Sequence, residues 1–163
     1  MSGELVISLD FELLWGVRDH ATRDSYGANV LRGREAIPRI LDLFEHYGIA
    51  ATWATVGLLM AESRDELLAS LPPEELRPKA GALRVIHPLH VRVIKRAMTQ
   101  AARTNASYHL WWHPHNFGLK TGENLAVLAD ILAHFQGLKH KYSMASCTIT
   151  PDLLAPAHRS TRR

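Results

Sequence analysis

A single cysteine, Cys147, stands among the 163 residues. The chain can therefore form neither an intramolecular disulfide nor a thiolate zinc cluster, and a reducing compartment fits. No apolar run approaches the roughly 18 residues needed to cross a bilayer. The opening residues carry no basic segment of the kind that begins a signal peptide, and the apolar run Leu5 to Leu9 is broken by Ser8 and stopped by Asp10. These absences together predict a cytoplasmic protein without a membrane helix. Acid is scarce in the second half: residues 77–163 hold 3 acids against 13 bases, whereas residues 1–76 hold 13 acids and 6 bases. From Arg77 to Arg103 there are seven bases and no acid. Such a block can attract phosphates or anionic glycans, and it can equally be the solvated face of a helix or the neighbour of an acidic first half. Signatures of a helix-turn-helix, a zinc finger or an aromatic RNA-binding surface are missing too, so no specific nucleic-acid partner is expected.

What is present suits one folded domain: 47% of the residues are hydrophobic and 21% charged. We place that domain at residues 1–155, with a basic tail over 156–163. A full eight-unit β/α barrel takes about 250 residues, so any barrel here is partial.

Leu5-Val6-Ile7-Ser8-Leu9 reads as a strand buried on both faces. From about Arg34 to Tyr47 the apolar residues Ile37, Ile40, Leu41, Phe44 and Tyr47 recur at helical spacing, and Gly48 is a natural stop. Residues 49–56 read as a second strand, which makes a strand-helix-strand unit and hence a parallel pair. Gly57 to about Leu71 reads as helical, and the proline-rich stretch Pro72 to Gly81 as a linker. A helix opening near Pro88 has the apolar stripe Val91, Ile94, Met98 and Ala101, with Arg92, Lys95, Arg96 and Arg103 largely elsewhere. Ser107 to Trp112 suits a third strand, and Pro114, Asn116 and Gly118 signal a loop. Thr121 can cap a helix whose buried seam is Leu125, Leu128, Leu132 and Phe135, up to Gly137. Tyr142 to Ile149 reads as a last strand.

In parallel α/β folds, polar sites form at the carboxyl ends of strands, where loops can carry charge while the core stays closed. Two such ends stand out. Asp10 and Glu12 share a face if the extended path continues through Phe11. Trp111 and Trp112 lead into His113, Pro114 and His115, and Pro114 biases His113 toward an extended conformation. Carboxylates and imidazoles brought together in this way can bind a divalent ion that polarises a carbonyl and activates water, leaving a carboxylate and an imidazole to move protons. The same acids can also merely cap the following loop or pair with Arg18, and the histidines can be ordinary loop residues. His87 and His90 have the spacing that puts two side chains near one helical face, and either chelate or sit together by chance. Trp15 and one of Trp111 or Trp112 can stack on sugar rings. Adjacent strand residues face opposite ways, so the other of that pair belongs to the core.

Three segments in order resemble the polysaccharide deacetylases that share the NodB homology domain. Ile7-Ser8-Leu9-Asp10-Phe11-Glu12 is similar to the first acidic motif of that family, Gly48 to Gly57 to its next strand, and Leu110-Trp111-Trp112-His113-Pro114-His115-Asn116-Phe117-Gly118 to its final histidine motif. The resemblance covers roughly residues 4–79 and 88–150. It implies a partial, distorted β/α barrel with about four mostly parallel strands and flanking helices. It also implies metal-dependent hydrolysis of non-peptide carbon–nitrogen bonds, the removal of acyl groups from N-acetylated sugars or related small amides. By motif, Asp10 corresponds to the catalytic base, Glu12 to the metal-binding acid and His113 to the general acid. The expected ion is zinc, with His87 and His90 as further candidate ligands, and Trp15, Trp112, His115 and Asn116 as candidate substrate contacts. The H-[ST]-x-x-H metal motif of the family and its middle strands are not found. The chain reads as though a central segment were absent, with a junction between Arg77 and His87. A sheet lacking those strands has edges that a second copy can cover. The rival expectation is a non-catalytic module whose basic helix binds an acidic partner or an anionic polymer.

Overall fold

The structure is a computed structural model that describes residues 2–14, 21–55, 60, 62, 63, 65 and 88–149. In chain order the described elements are β1 (Glu4–Phe11), α1 (Arg23–Tyr47), β2 (Ala51–Thr55), α2 (Pro88–Thr104), β3 (Ser107–Trp112), a 3-10 turn (Pro114–Phe117), α3 (Thr121–Tyr142) and β4 (Ala145–Cys147). The helix expected after Gly57 lies largely outside the described residues. The proline-rich linker, Trp15, His87 and the basic tail lie wholly outside them.

β1 is the middle of a mostly parallel, open sheet. β2 pairs with its second half and β3 runs along nearly its whole length, while β4 pairs with Glu4 to Val6. A strand with partners on both sides has no free edge, which is why a nearly unbroken apolar run is suited to that place. The expected four mostly parallel strands with flanking helices are present as an open sheet, and no barrel closes among the described residues. Closing a barrel would require further strands beyond β2 and β3, and the four described strands supply none.

The core lies on one face of the sheet. Leu5, Ile7 and Leu9 project into it and meet Ala36, Ile40 and Phe44 of α1, Met98, Ala101 and Ala102 of α2, and the seam of α3 centred on Leu132 and Phe135. Tyr108, Leu110 and Trp112 of β3 pair in register with Leu5, Ile7 and Leu9, so they share that face. The opposite face is mixed, with Val6 buried beside polar residues. On it the buried Ser8 hydroxyl lies 2.7 Å from His109 Nε2, a partner that removes the cost of an unpaired buried hydroxyl.

Two elements differ in extent from their sequence patterns. α1 starts at Arg23, eleven residues before the apolar periodicity begins. Thr22 caps it, its hydroxyl accepting from the Ser25 amide at 3.2 Å while Ser25 Oγ accepts from the Thr22 amide at 2.9 Å. At the other end Gly48 adopts φ 58, the left-handed conformation that closes a helix. α3 runs through Gly137 to Tyr142, burying Leu138, so the expected last strand shrinks to Ala145–Cys147.

Candidate metal centre

The site follows from strand register. β1 and β3 are aligned so that Ser8 faces Trp111 and Leu9 faces Trp112. One further step sets His113 beside Asp10, and His113 Nδ1 lies 3.3 Å from the Asp10 carbonyl, to which it can only donate. Glu12 stands two residues past Asp10 and returns to the same side. Its Oε2 is 3.6 Å from His113 Nδ1, an ion pair whenever His113 is protonated. Leu13, which follows, has φ 53, a conformation that costs a branched residue on the order of 1 kcal/mol and turns the chain away directly after the carboxylate.

Asp10, Glu12 and His113 each offer one ligand atom, and all these atoms lie within 4.8 Å of one another at half-buried positions. Two carboxylate oxygens and an imidazole nitrogen form a donor set that could hold a metal ion. The residues present therefore fit a divalent ion. The His113 nitrogen that faces Glu12 is Nδ1, and it offers a lone pair in the tautomer protonated at Nε2.

The loop carrying His113 is held at several points. Its amide donates to Asn116 Oδ1 at 2.9 Å. Asn124 Nδ2 donates to the carbonyls of Asn116 (3.1 Å) and Leu119 (2.8 Å), fastening the loop to the first turn of α3. α1 closes from the other side without intervening side chains. A methyl group on Gly33 would lie 2.8 Å from His115 Cα, and one on Gly118 would lie 2.0 Å from the Asn29 carbonyl oxygen.

His115 is only 4% exposed. Its ring stacks on that of His113, centroids 4.7 Å apart and planes 11° from parallel, and Tyr26 meets it edge-on at 5.6 Å. Burial, and secondarily the charge His113 can carry, lowers its pKa from 6.5 to about 4, so the ring is neutral at physiological pH. A shallow cleft opens beside it between the turn after β1 and α1, bordered by Glu12, Leu13, Val30, Arg34 and His115.

The expected site residues thus divide. Asp10, Glu12 and His113 come together. His115, expected at the substrate, is instead mostly buried beneath His113, and the Asn116 side chain is engaged by the His113 amide. Trp112, the other expected substrate contact, points into the core between Phe44 and Phe117, with its Nε1 buried and unpartnered. The indole beside the triad is Trp111, 44% exposed and 4.8 Å from the His113 ring in an edge arrangement. Alternation along β3 dictates that exchange, since only the odd-numbered residues share the face of Asp10. His90 is exposed on the first turn of α2 and joins no three-ligand cluster among the described residues. The place of Arg34 at the cleft had no signal in the sequence, because nothing in the spacing places α1 against the turn after β1.

Scans against family models, curated proteins and solved structures find no match for this chain. The fold and site define an α/β protein with an Asp/Glu/His donor set at the carboxyl ends of two neighbouring parallel strands. None of its described helices is long and apolar enough to cross a membrane.

Proposed function

We propose that the chain is a zinc-dependent amide hydrolase that removes acetyl groups from N-acetylated sugars. The observation that carries this reading is the convergence of Asp10, Glu12 and His113 within 4.8 Å. The exposed face of Trp111 beside them, a flat surface for the C–H face of a sugar ring, favours a glycan over other small amides.

When bound, a divalent ion polarises the amide carbonyl and brings the pKa of water to near neutrality. Glu12 and His113 would hold it, each with one ligand atom. A nitrogen that holds an ion has no lone pair for a proton, so His113 serves here as ligand and not as the general acid that the family resemblance implies. Asp10 has two oxygens: one completes the donor set and the other accepts the proton of the attacking water. The same Asp10 oxygen then delivers that proton to the departing amine nitrogen as the carbon–nitrogen bond breaks. Water and amide are consumed, and acetate and the protonated amine are formed, the second proton of the water also ending on the nitrogen.

The test is acetate release from N-acetylated oligosaccharides by the purified chain supplied with zinc, beside an Asp10→Asn variant. We expect release by the wild type and a loss of at least about 100-fold in the variant, the scale of a lost general base. Equal rates eliminate the site. The polyanion-binding reading is favoured by one observation: Arg92, Arg96 and Arg103 are exposed along α2, with no carboxylate partner among the described residues. Retention on an anionic polymer that falls steeply with salt, without acetate release, selects that reading.

A further inference from the structure

Beyond the triad the molecule carries the Ser8–His109 pair on the far face of the sheet, the arginine stripe of α2, the cleft beside Arg34 and the buried His115. The last is carried furthest, because its contacts run unbroken from a helix to a ligand. We infer that His115 is a positioning residue: its buried ring, stacked on His113, fixes the plane of the ligating imidazole and so sets the affinity of the Asp10, Glu12 and His113 group for zinc. This inference rests on the proposed metal site and goes beyond it, since nothing in the donor set itself requires a fourth residue.

A histidine at a strand end has two free side-chain torsions, and an imidazole rotated by a few tens of degrees aims its ligating lone pair away from the carboxylates. The Nδ1 contact to the Asp10 carbonyl, at 3.3 Å, leaves the ring able to rock about that bond. A parallel ring 4.7 Å away removes the freedom that remains, provided that the second ring is itself held. His115 meets this condition. It is buried, Tyr26 meets it in a T-shaped ring contact, and its backbone is pressed against the bare Cα of Gly33. The imidazole of His113 is thus aligned by α1, an element that carries none of the three ligands.

The role predicted for His115 is that of a flat ring, not of a nitrogen, and this separates it from a ligand. Zinc titrations of the full chain and of His115→Ala, His115→Phe and Ile40→Val test it, with the ring-proton resonances of His113 read before metal is added. In His115→Ala we expect the ring-current shift at His113 to vanish and zinc affinity to fall by about 10- to 100-fold, the range for lost outer-shell partners. His115→Phe restores both to within about threefold of wild type. Ile40→Val, which loosens the core on another part of α1, leaves both unchanged, so a general loss of packing cannot imitate the result. Wild-type affinity in His115→Ala overturns the inference, as does an equal loss in the Ala and Phe variants. Failure of the wild-type chain to bind zinc overturns the metal reading of the triad instead, and the ring-current shift then still reports whether the stack exists.

Discussion

Substitution of two glycines on one helix tests how α1 closes on the His113 loop. In a helix interior, Gly→Ala is worth about 0.5–1 kcal/mol in favour of alanine, from reduced unfolded-state freedom and better propensity. At Gly27 the added methyl meets only the Arg23 side chain, at 3.5 Å, an ordinary contact, so that gain should appear in full. At Gly33 the methyl would lie 2.8 Å from His115 Cα and 3.1 Å from its amide nitrogen, both backbone atoms that cannot swing aside. Either α1 or the 3-10 turn must move, at the cost of about 1–3 kcal/mol typical of overpacking. The propensity gain offsets part of this, leaving Gly33→Ala destabilised by about 1 kcal/mol as a central value. For a chain of this size each kcal/mol is worth roughly 2–4 °C in Tm, so the two variants should melt on opposite sides of wild type, separated by roughly 3–10 °C. Thermal and urea melts followed by circular dichroism measure this directly. If Gly33→Ala is as stable as Gly27→Ala, the helix does not approach the turn as described.

Two further outcomes concern the site. In the metal-free protein, His115 has a folded pKa of about 4 against an ordinary 6.5, so the unfolded chain binds more protons between those values. The contribution of His115 is therefore fully present above about pH 6.5 and is lost as pH falls toward 4, amounting to ~3 kcal/mol at most. Urea melts at pH 7.5 and 4.5 should show this loss in wild type and a smaller one in His115→Phe; identical pH dependence in the two proteins contradicts burial of a neutral ring. Trp111→Ala should raise KM for N-acetylated oligosaccharides by about tenfold with kcat retained, because a stacking platform binds ground and transition states alike. A fall in kcat with unchanged KM would place the indole in the chemistry instead.

The strands that build the site were legible because each is short, apolar and bounded by polar residues. Parallel pairing of β1 with β2 followed from the intervening helix. Pairing of β1 with β3 joins residues about a hundred positions apart, and no local pattern encodes it. The sequence marks Asp10, Glu12 and His113 as candidates through their types and strand-end positions, but their convergence rests on that long-range register. The start of α1 was obscured by Gly27 and Gly33, which lower helix propensity. The Thr22 and Ser25 pair was the available cue, a capping box with serine in place of the usual acid. The choice between Trp111 and Trp112 needed the face of Asp10 to be known, and only the ladder of β1 and β3 supplies it. The burial of His115 stayed hidden because a polar residue in a proline-containing loop reads as solvent-facing until α1 is placed above it.

The one-step extension of the β1 and β3 ladder that brings His113 to Asp10 makes those strands behave as a vernier. Deleting a single residue between Ser107 and Trp112 would exchange inward and outward side chains downstream of the lesion and send the imidazole to the helix-packed side. A residue gained or lost at the exposed ends of α2 or α3 leaves the alignment untouched. Descendants of this chain should therefore accumulate length changes around its helices and almost none within those two segments.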